Sequence, residues 1–129
     1  MILLDTHAWI PWVAEDYHFL SKAAIKAIKK AESLGVSAIS CWEVAMLSSK
    51  KRLTLQLDVQ DWVEIALKRP GIQLMNLDPE ILVLSTRLPG EFHPDPADQM
   101  IAATALKYGI PLVTKDKYIH QWGHIETIW

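Results

Sequence analysis

Cysteine is nearly absent from the 129 residues, since Cys41 is the only one. A single cysteine excludes an internal disulfide and any zinc site built from several cysteines. Long apolar runs are also missing, and no stretch approaches the about 18 apolar residues that a transmembrane helix requires. The first residues, MILLD, carry no basic leader. We therefore expect no signal peptide, no membrane association and a cytoplasmic location.

An excess of positive charge is lacking as well. Lys and Arg number 13 against 15 Asp and Glu, so the net charge is −2. This balance excludes a protein that coats nucleic acid through a strongly basic surface. Hydrophobic residues make up 50% of the chain and charged residues 22%, which is typical of a folded globular protein. The length fits one domain, so we expect residues 1–129 to form a single domain.

Short apolar segments alternate with longer amphipathic segments along the chain. The pattern predicts strands at 2–4, 36–39, 72–77, 110–114 and 125–129, and helices at 22–34, 40–50, 59–68, from 79 to before 89, and 96–108. Ser21, Asp58 and Asp95 are favourable N-caps for three of these helices, and Ser40 is expected to open a fourth. Strands separated by helices predict an α/β fold with a mostly parallel sheet of four to five strands flanked by helices.

Carboxylates stand near the ends of several predicted strands. Asp5 directly follows the first strand, and Glu43 lies one turn into the helix after the second. Asp116 follows the fourth strand, and Asp98 lies in the first turn of the helix that leads to it. Because the working site of an open α/β sheet lies beyond the carboxyl ends of its strands, we expect these four acids to gather there.

Gathered carboxylates repel one another, and a divalent metal ion relieves that repulsion. Oxygen ligands without clustered histidine or cysteine indicate magnesium or manganese. Such an ion activates water and neutralises charge on a phosphodiester. The acids therefore predict metal-dependent phosphodiester hydrolysis.

Each acid also has a purely structural interpretation. Glu43 fits a capping box at its helix start, and Asp98 follows Asp95 by three residues, as first-turn acids often do. Asp116 fits a solvated turn. Asp5 is the hardest to explain in this way, because an acid at the end of a buried strand is costly unless it is paired or bound to metal.

Three segments resemble the PIN domain, in particular the VapC-type toxin ribonucleases. They are LLDTHAWI at 3–10, SAISCWEVAML at 37–47 and HPDPADQMIAATALKYGIPLVTKD at 93–116. The resemblance spans nearly the whole chain and implies a Rossmann-like PIN fold with endoribonuclease activity that depends on magnesium or manganese. It also implies a toxin that forms a homodimer and is neutralised by a small antitoxin. One departure is Gln99, where the family often has Arg, so a possible phosphate or ion-pair partner is missing.

The motifs carry four acids of the family over to this chain. By this resemblance Asp5, Glu43, Asp98 and Asp116 form the catalytic quartet. Asp5 and Asp98 are implied as direct metal ligands. Glu43 would help to bind metal or orient the attacking water, and Asp116 would act directly or through water.

Neighbours of the four acids are expected to support them. Thr6 and Thr114 are expected to hold adjacent carboxylates by hydrogen bonds. Asp95 is expected to cap its helix, and His93 to pack beside that cap. Basic residues near the site are candidates for contacts with RNA phosphates. They are Lys50, Lys51, Arg52, Lys115 and Lys117.

Six tryptophans are many for a chain of this length. Most are expected in the core, but Trp9, Trp12 and Trp42 lie near the first motifs and predict an apolar groove for an antitoxin helix. Two other functions stay open at this point. One is a PIN-type nuclease that acts on DNA or processes RNA without a toxin role, and the other is a non-enzymatic phosphoacceptor domain with Asp5 at its phosphorylation site.

Overall fold

The computed structural model describes all residues from Met1 to Trp129. Five parallel strands form one sheet: β1 (Ile2–Leu4), β2 (Leu34–Ser37), β3 (Ile72–Met75), β4 (Leu112–Val113) and β5 (Thr127–Ile128). Seven helices flank it: α1 (Thr6–Ala14), α2 (Lys22–Lys30), α3 (Ala38–Ser49), α4 (Val59–Leu67), α5 (Pro79–Ser85), α6 (Pro96–Tyr108) and α7 (Lys117–Trp122). The predicted α/β fold with a parallel sheet is confirmed. None of the helices combines the length and the apolar character needed to cross a membrane.

The strand order β3-β2-β1-β4-β5 places the first strand at the centre of the sheet. The chain runs outward from β1 through β2 to β3, and then crosses to β4 on the other side of β1. A crevice forms at such a reversal, beyond the carboxyl ends of the two central strands. The topology therefore predicts a site beyond the carboxyl ends of β1 and β4.

The central strand separates two apolar clusters. Leu3 and Leu4 are both fully buried, and successive side chains of a strand point to opposite faces. Leu4 joins the larger cluster, which includes Trp9 and Val44, and Leu3 joins a smaller cluster with Ile101 on α6. Each fully buried leucine contributes about 1.5–3 kcal/mol, so packing on both faces holds the sheet in place.

All seven α-helices begin at a side chain that accepts a hydrogen bond from a backbone N–H of the first turn. The capping residues are Asp5, Ser21, Ser37, Asp58, Asp78, Asp95 and Asp116. A cap of this type stabilises a helix by about 1 kcal/mol. The predicted caps Ser21, Asp58 and Asp95 are confirmed.

The segment around Gly35 differs from the prediction. The helix expected to reach residue 34 ends at Lys30, and Gly35 lies inside β2 rather than after a helix. Leu34 pairs with Ile2 on one side and with Ile72 on the other, and these sheet contacts outweigh the local helical preference. A Cβ at this position would lie 2.6 Å from the sulfur of Met75, so glycine lets the Met75 side chain keep its place.

The start of α3 also differs from the prediction. Its N-cap is Ser37, whose hydroxyl accepts from the N–H of Ile39 at 3.2 Å. Ser40 therefore lies inside the helix, fully buried, and does not open it. A capping box between Ser40 and Glu43 does not form, so the Glu43 carboxylate is available for another role.

Candidate functional site

Four acids lie beyond the carboxyl ends of β1 and β4. Asp5 follows β1, Asp116 follows β4, Glu43 lies on α3 and Asp98 lies in the first turn of α6. Glu43, Asp116 and Asp5 all help to raise the pKa of Asp98, so the four carboxylates are near enough to repel one another. The structure brings together the acids selected from the sequence, and their role in binding metal stays a prediction.

Asp5 is held at the N-terminus of α1. One of its carboxylate oxygens accepts from the N–H of Ala8 at 2.8 Å, and only 8% of the residue is exposed. Burial raises the pKa of Asp5, while hydrogen bonds from the Thr114 side chain and from the Ala8 backbone oppose that rise. The positive end of the helix dipole also favours a negative charge at this position.

Glu43 is anchored through a buried threonine. Thr6 Oγ1 lies 2.5 Å from Glu43 Oε1 and 2.8 Å from the hydroxyl oxygen of Ser40. Because the Thr6 hydroxyl has one proton, it donates to the carboxylate while Ser40 donates to it. Burial raises the pKa of Glu43, and the hydrogen bond from Thr6 opposes the rise. Thr6 thereby fixes one carboxylate oxygen and leaves the other free.

Asp116 and Asp95 have well-defined structural roles. Asp116 Oδ1 accepts from the N–H groups of Tyr118 at 2.8 Å and Ile119 at 3.2 Å, and so caps α7. Its own N–H donates to the Thr114 hydroxyl at 3.1 Å. Asp95 caps α6, as predicted, but its charge also helps to raise the pKa values of Glu43 and Asp98.

The pKa of Asp98 rises to about 7, chiefly because of burial and then because of the negative charges of Asp95, Glu43, Asp116 and Asp5. A carboxyl group in this position is reluctant to ionise without a nearby positive charge. A divalent cation supplies such a charge, and carboxylate oxygens are suitable ligands for it. The donor set therefore fits a metal ion.

His93 is a member of the site that sequence reasoning missed. Its Nε2 lies 3.4 Å from Asp98 Oδ2 and 3.6 Å from Asp116 Oδ2, and it is buried without a hydrogen-bond partner. The three side chains form a candidate metal-binding group, with their ligand atoms within 4.8 Å of one another. The ring packs on Phe92 at 4.6 Å, so the expected packing role is only part of its environment. The one available signal was its position two residues before the Asp95 cap.

Two of the five candidate basic residues line a cleft beside the acids, and the other three do not. Arg52 and Lys115 line a cleft of about 370 Å³ together with His7, which we call the basic cleft. His7 lowers the pKa values of both Asp5 and Glu43, so this cleft adjoins the acids. The other three candidates are exposed and do not line it. They are Lys50, Lys51 and Lys117.

The tryptophans only partly fit the predicted groove. Trp9 is fully buried and packs edge-on against Trp62 at 5.2 Å, so it belongs to the core. Trp12 stacks on Tyr17, and Trp42 is 56% exposed. A cleft of about 620 Å³, the apolar cleft, is lined by Trp62 and by residues of α1, but not by Trp9, Trp12 or Trp42. Its lining includes Ile10, Val13, Leu55, Trp62 and Ile65.

Comparison with known proteins gives consistent matches over almost the full chain. Residues 2–124 match the PIN domain family. Ribonuclease VapC22 of Mycobacterium tuberculosis is 36% identical over an alignment of 130 positions, which covers 99% of this chain and 98% of that protein.

Two solved structures have a similar fold. DNA-bound VapBC from Salmonella typhimurium aligns with a TM-score of 0.71 and 18% identity, over 98% of this chain and 97% of the other. VapC20 of Mycobacterium tuberculosis, described as a toxin that cleaves the sarcin-ricin loop, aligns with a TM-score of 0.67 and 18% identity over 98% of both chains. At these identities the structural likeness establishes the fold alone.

Proposed function

The chain belongs to the PIN domain family, and on that premise we propose that it is a metal-dependent endoribonuclease, the toxin of a VapBC-type toxin–antitoxin pair. The observation that carries the proposal is the convergence of four carboxylates from four chain segments at the reversal of strand order. The 36% identity to a protein named as a ribonuclease supports RNA as the substrate.

Magnesium or manganese is the metal that this donor set favours. Asp5 and Asp98 would hold the ion directly, and Glu43 and Asp116 would hold it directly or through water. Oxygen ligands of this kind suit hard divalent cations. When bound, the ion supplies positive charge at the scissile phosphate and lowers the pKa of a water molecule.

The surrounding residues keep the carboxylates in place for hydrolysis. Thr6 fixes one oxygen of Glu43, and the other oxygen orients the attacking water and accepts its proton. Thr114 and the N-terminus of α1 favour the ionised form of Asp5 and so oppose the larger effect of burial, which raises its pKa. Arg52 and Lys115 in the basic cleft bind phosphates of the RNA that extends beyond the site.

Metal dependence provides the direct test. Purified protein should cleave RNA when magnesium or manganese is added, stop when EDTA removes the metal, and resume when the metal is restored. The measurement is the rate of cleavage of a labelled RNA, with a DNA strand of the same sequence as the control. Equal cleavage in EDTA would contradict the metal site. Cleavage of the DNA at the same rate would favour the general nuclease instead.

A small antitoxin is the partner that we propose, together with a homodimer of this chain in the cytoplasm. VapBC complexes among the similar structures support the antitoxin. The apolar cleft offers it a surface, since Ile65 is 53% exposed and Leu57 is 47% exposed there. Exposed apolar side chains that line a cleft are typical of a site for an amphipathic helix.

Replacing Ile65 by Asp should weaken antitoxin binding at least about tenfold, because a charge would be buried against the apolar face of the partner. Titration calorimetry with the protein encoded next to this gene measures the affinity. Val83→Asp is the matched control, since Val83 is 48% exposed on α5 and lies outside the apolar cleft. Unchanged affinity for Ile65→Asp would show that the antitoxin binds elsewhere. RNA cleavage by both variants should equal that of the unaltered protein.

A further inference from the structure

We propose that His93 is a positioning residue whose buried Nε2–H faces the carboxylates of both Asp98 and Asp116 and keeps them at the spacing needed for a divalent ion. The inference rests on the proposed function, because it concerns the same site. It adds a role for a residue outside the acidic quartet and rests on three contacts of one imidazole ring.

The first contact fixes the plane of the ring. The His93 side chain is 17% exposed and packs between Phe92, at 4.6 Å, and Tyr118, at 5.9 Å. The backbone is also fixed, since the Gln99 side-chain amide donates to the carbonyl oxygen of His93 at 3.1 Å. Gln99 stands where the family often has Arg, so in this chain the position anchors the histidine segment instead of supplying a charge.

The second contact determines which nitrogen carries the proton. The backbone N–H of Asp95 points to His93 Nδ1 at 3.4 Å. Nδ1 therefore acts as an acceptor and has no proton of its own. In neutral imidazole the proton then sits on Nε2, which makes Nε2 a donor.

The third contact is the pair of carboxylates that faces this donor. Nε2 lies 3.4 Å from Asp98 Oδ2 and 3.6 Å from Asp116 Oδ2, and no other partner is within reach of this buried atom. The two distances are nearly equal and neither contact is a hydrogen bond, so the positive end of the N–H dipole attracts both carboxylate oxygens without bonding to either. The acids lie on different elements, α6 and the start of α7, so this N–H offsets their mutual repulsion across the site.

The consequence is a site that is organised before the metal arrives. Without the donor, the two negative groups would separate, and a metal ion would have to bring them back together. Hydrogen-bonding partners of metal ligands typically change metal affinity by about 10- to 100-fold. We expect an effect of that size from the loss of the His93 proton.

Two variants separate the donor from the ring. His93→Phe keeps an aromatic ring between Phe92 and Tyr118 but removes the donor, and His93→Gln places an amide N–H near the position of Nε2. Titration calorimetry of the metal-free proteins with manganese alone measures the affinity. His93→Phe should bind manganese about 10- to 100-fold more weakly, and His93→Gln should stay within about threefold of the unaltered protein. Equal affinity for His93→Phe and the unaltered protein would overturn the proposal.

A second measurement distinguishes a donor from a metal ligand. In NMR spectra that detect imidazole nitrogens, His93 Nε2 should keep its proton when magnesium is added. Loss of that proton with coordination of Nε2 would overturn the proposal, since His93 would then be a ligand itself.

A further variant applies if His93→Phe folds poorly. Gln99→Met removes only the anchor of the His93 carbonyl and should weaken manganese binding by about threefold to tenfold. Unchanged manganese binding by Gln99→Met would also count against the proposal.

The proposed function can fail separately from this inference. If the unaltered protein binds manganese with the expected dependence on His93 but cleaves no RNA, the ribonuclease assignment fails and the role of His93 stands. If it cleaves RNA and the two His93 variants bind manganese equally well, the role of His93 fails and the ribonuclease assignment stands.

Discussion

Asp98→Asn is expected to lower metal-dependent RNA cleavage by at least about 100-fold, the upper end of the loss seen for partners that only support metal ligands. Asn has nearly the same shape and can keep the first turn of α6 intact, but it has no negative charge for a cation. The measurement is the cleavage rate at saturating RNA over a range of magnesium concentrations. The loss should be only partly recovered by raising the magnesium concentration.

The same substitution should stabilise the metal-free protein at alkaline pH. The pKa of Asp98 rises from 3.8 to about 7 on folding, so between these values the folded state holds a proton that the unfolded state has lost. Its contribution to stability therefore falls as the pH rises from about 4 to about 7, and stays low above that. Asn does not ionise, so the stability of the variant does not fall in this way as the pH rises.

Thermal or urea unfolding in EDTA should find Asp98→Asn more stable than the unaltered protein by about 1–2 kcal/mol at pH 8, and equally stable near pH 4. This stability difference is well below the free energy that the whole rise in the pKa of Asp98 would correspond to. The reason is that 27% of the Asp98 side chain is exposed, so solvent screens its charge. Asp61→Asn is the control, since Asp61 is an exposed acid in the first turn of α4. If Asp98→Asn lost stability at pH 8, repulsion among the four carboxylates would not dominate this site.

Much of the acidic site was predictable because its geometry follows from chain order. Parallel strands end at one edge of a sheet, so Asp5 and Asp116, which follow β1 and β4, had to lie on the same side. Asp98 was predictable from the Asp95-Pro96 start of α6, which fixed the turn in which it lies. In each case a local signal determined the position.

Other features depend on contacts between distant segments. The helix α1 contains Pro11, which argues against a helix locally, yet Trp9 and Val13 are buried on its inner face and hold it in place. The approach of His93 to Asp98 and Asp116 also depends on how the segment before α6 meets the end of β4. No spacing between these residues in the sequence encodes that approach.

Asp5 is the acid whose structural and chemical roles are most closely combined. Its carboxylate caps α1 through the N–H of Ala8 and stands beside the other acids, so a simple deletion would confuse the two roles. Asn and Asp are about equally good N-caps, whereas Ala loses about 1 kcal/mol at such a position. Asn therefore removes the charge and keeps the cap.

Asp5→Asn should fold with unchanged or slightly higher stability in EDTA, because burial disfavours the charge that it removes. It should nevertheless lose manganese binding and reduce RNA cleavage by at least about 100-fold. Asp5→Ala should lose both activities and also about 1 kcal/mol of stability in urea unfolding, which isolates the contribution of the cap. If Asp5→Asn cleaved RNA as fast as the unaltered protein, Asp5 would be only a helix cap. The metal would then have to bind through Asp98 and its neighbours alone.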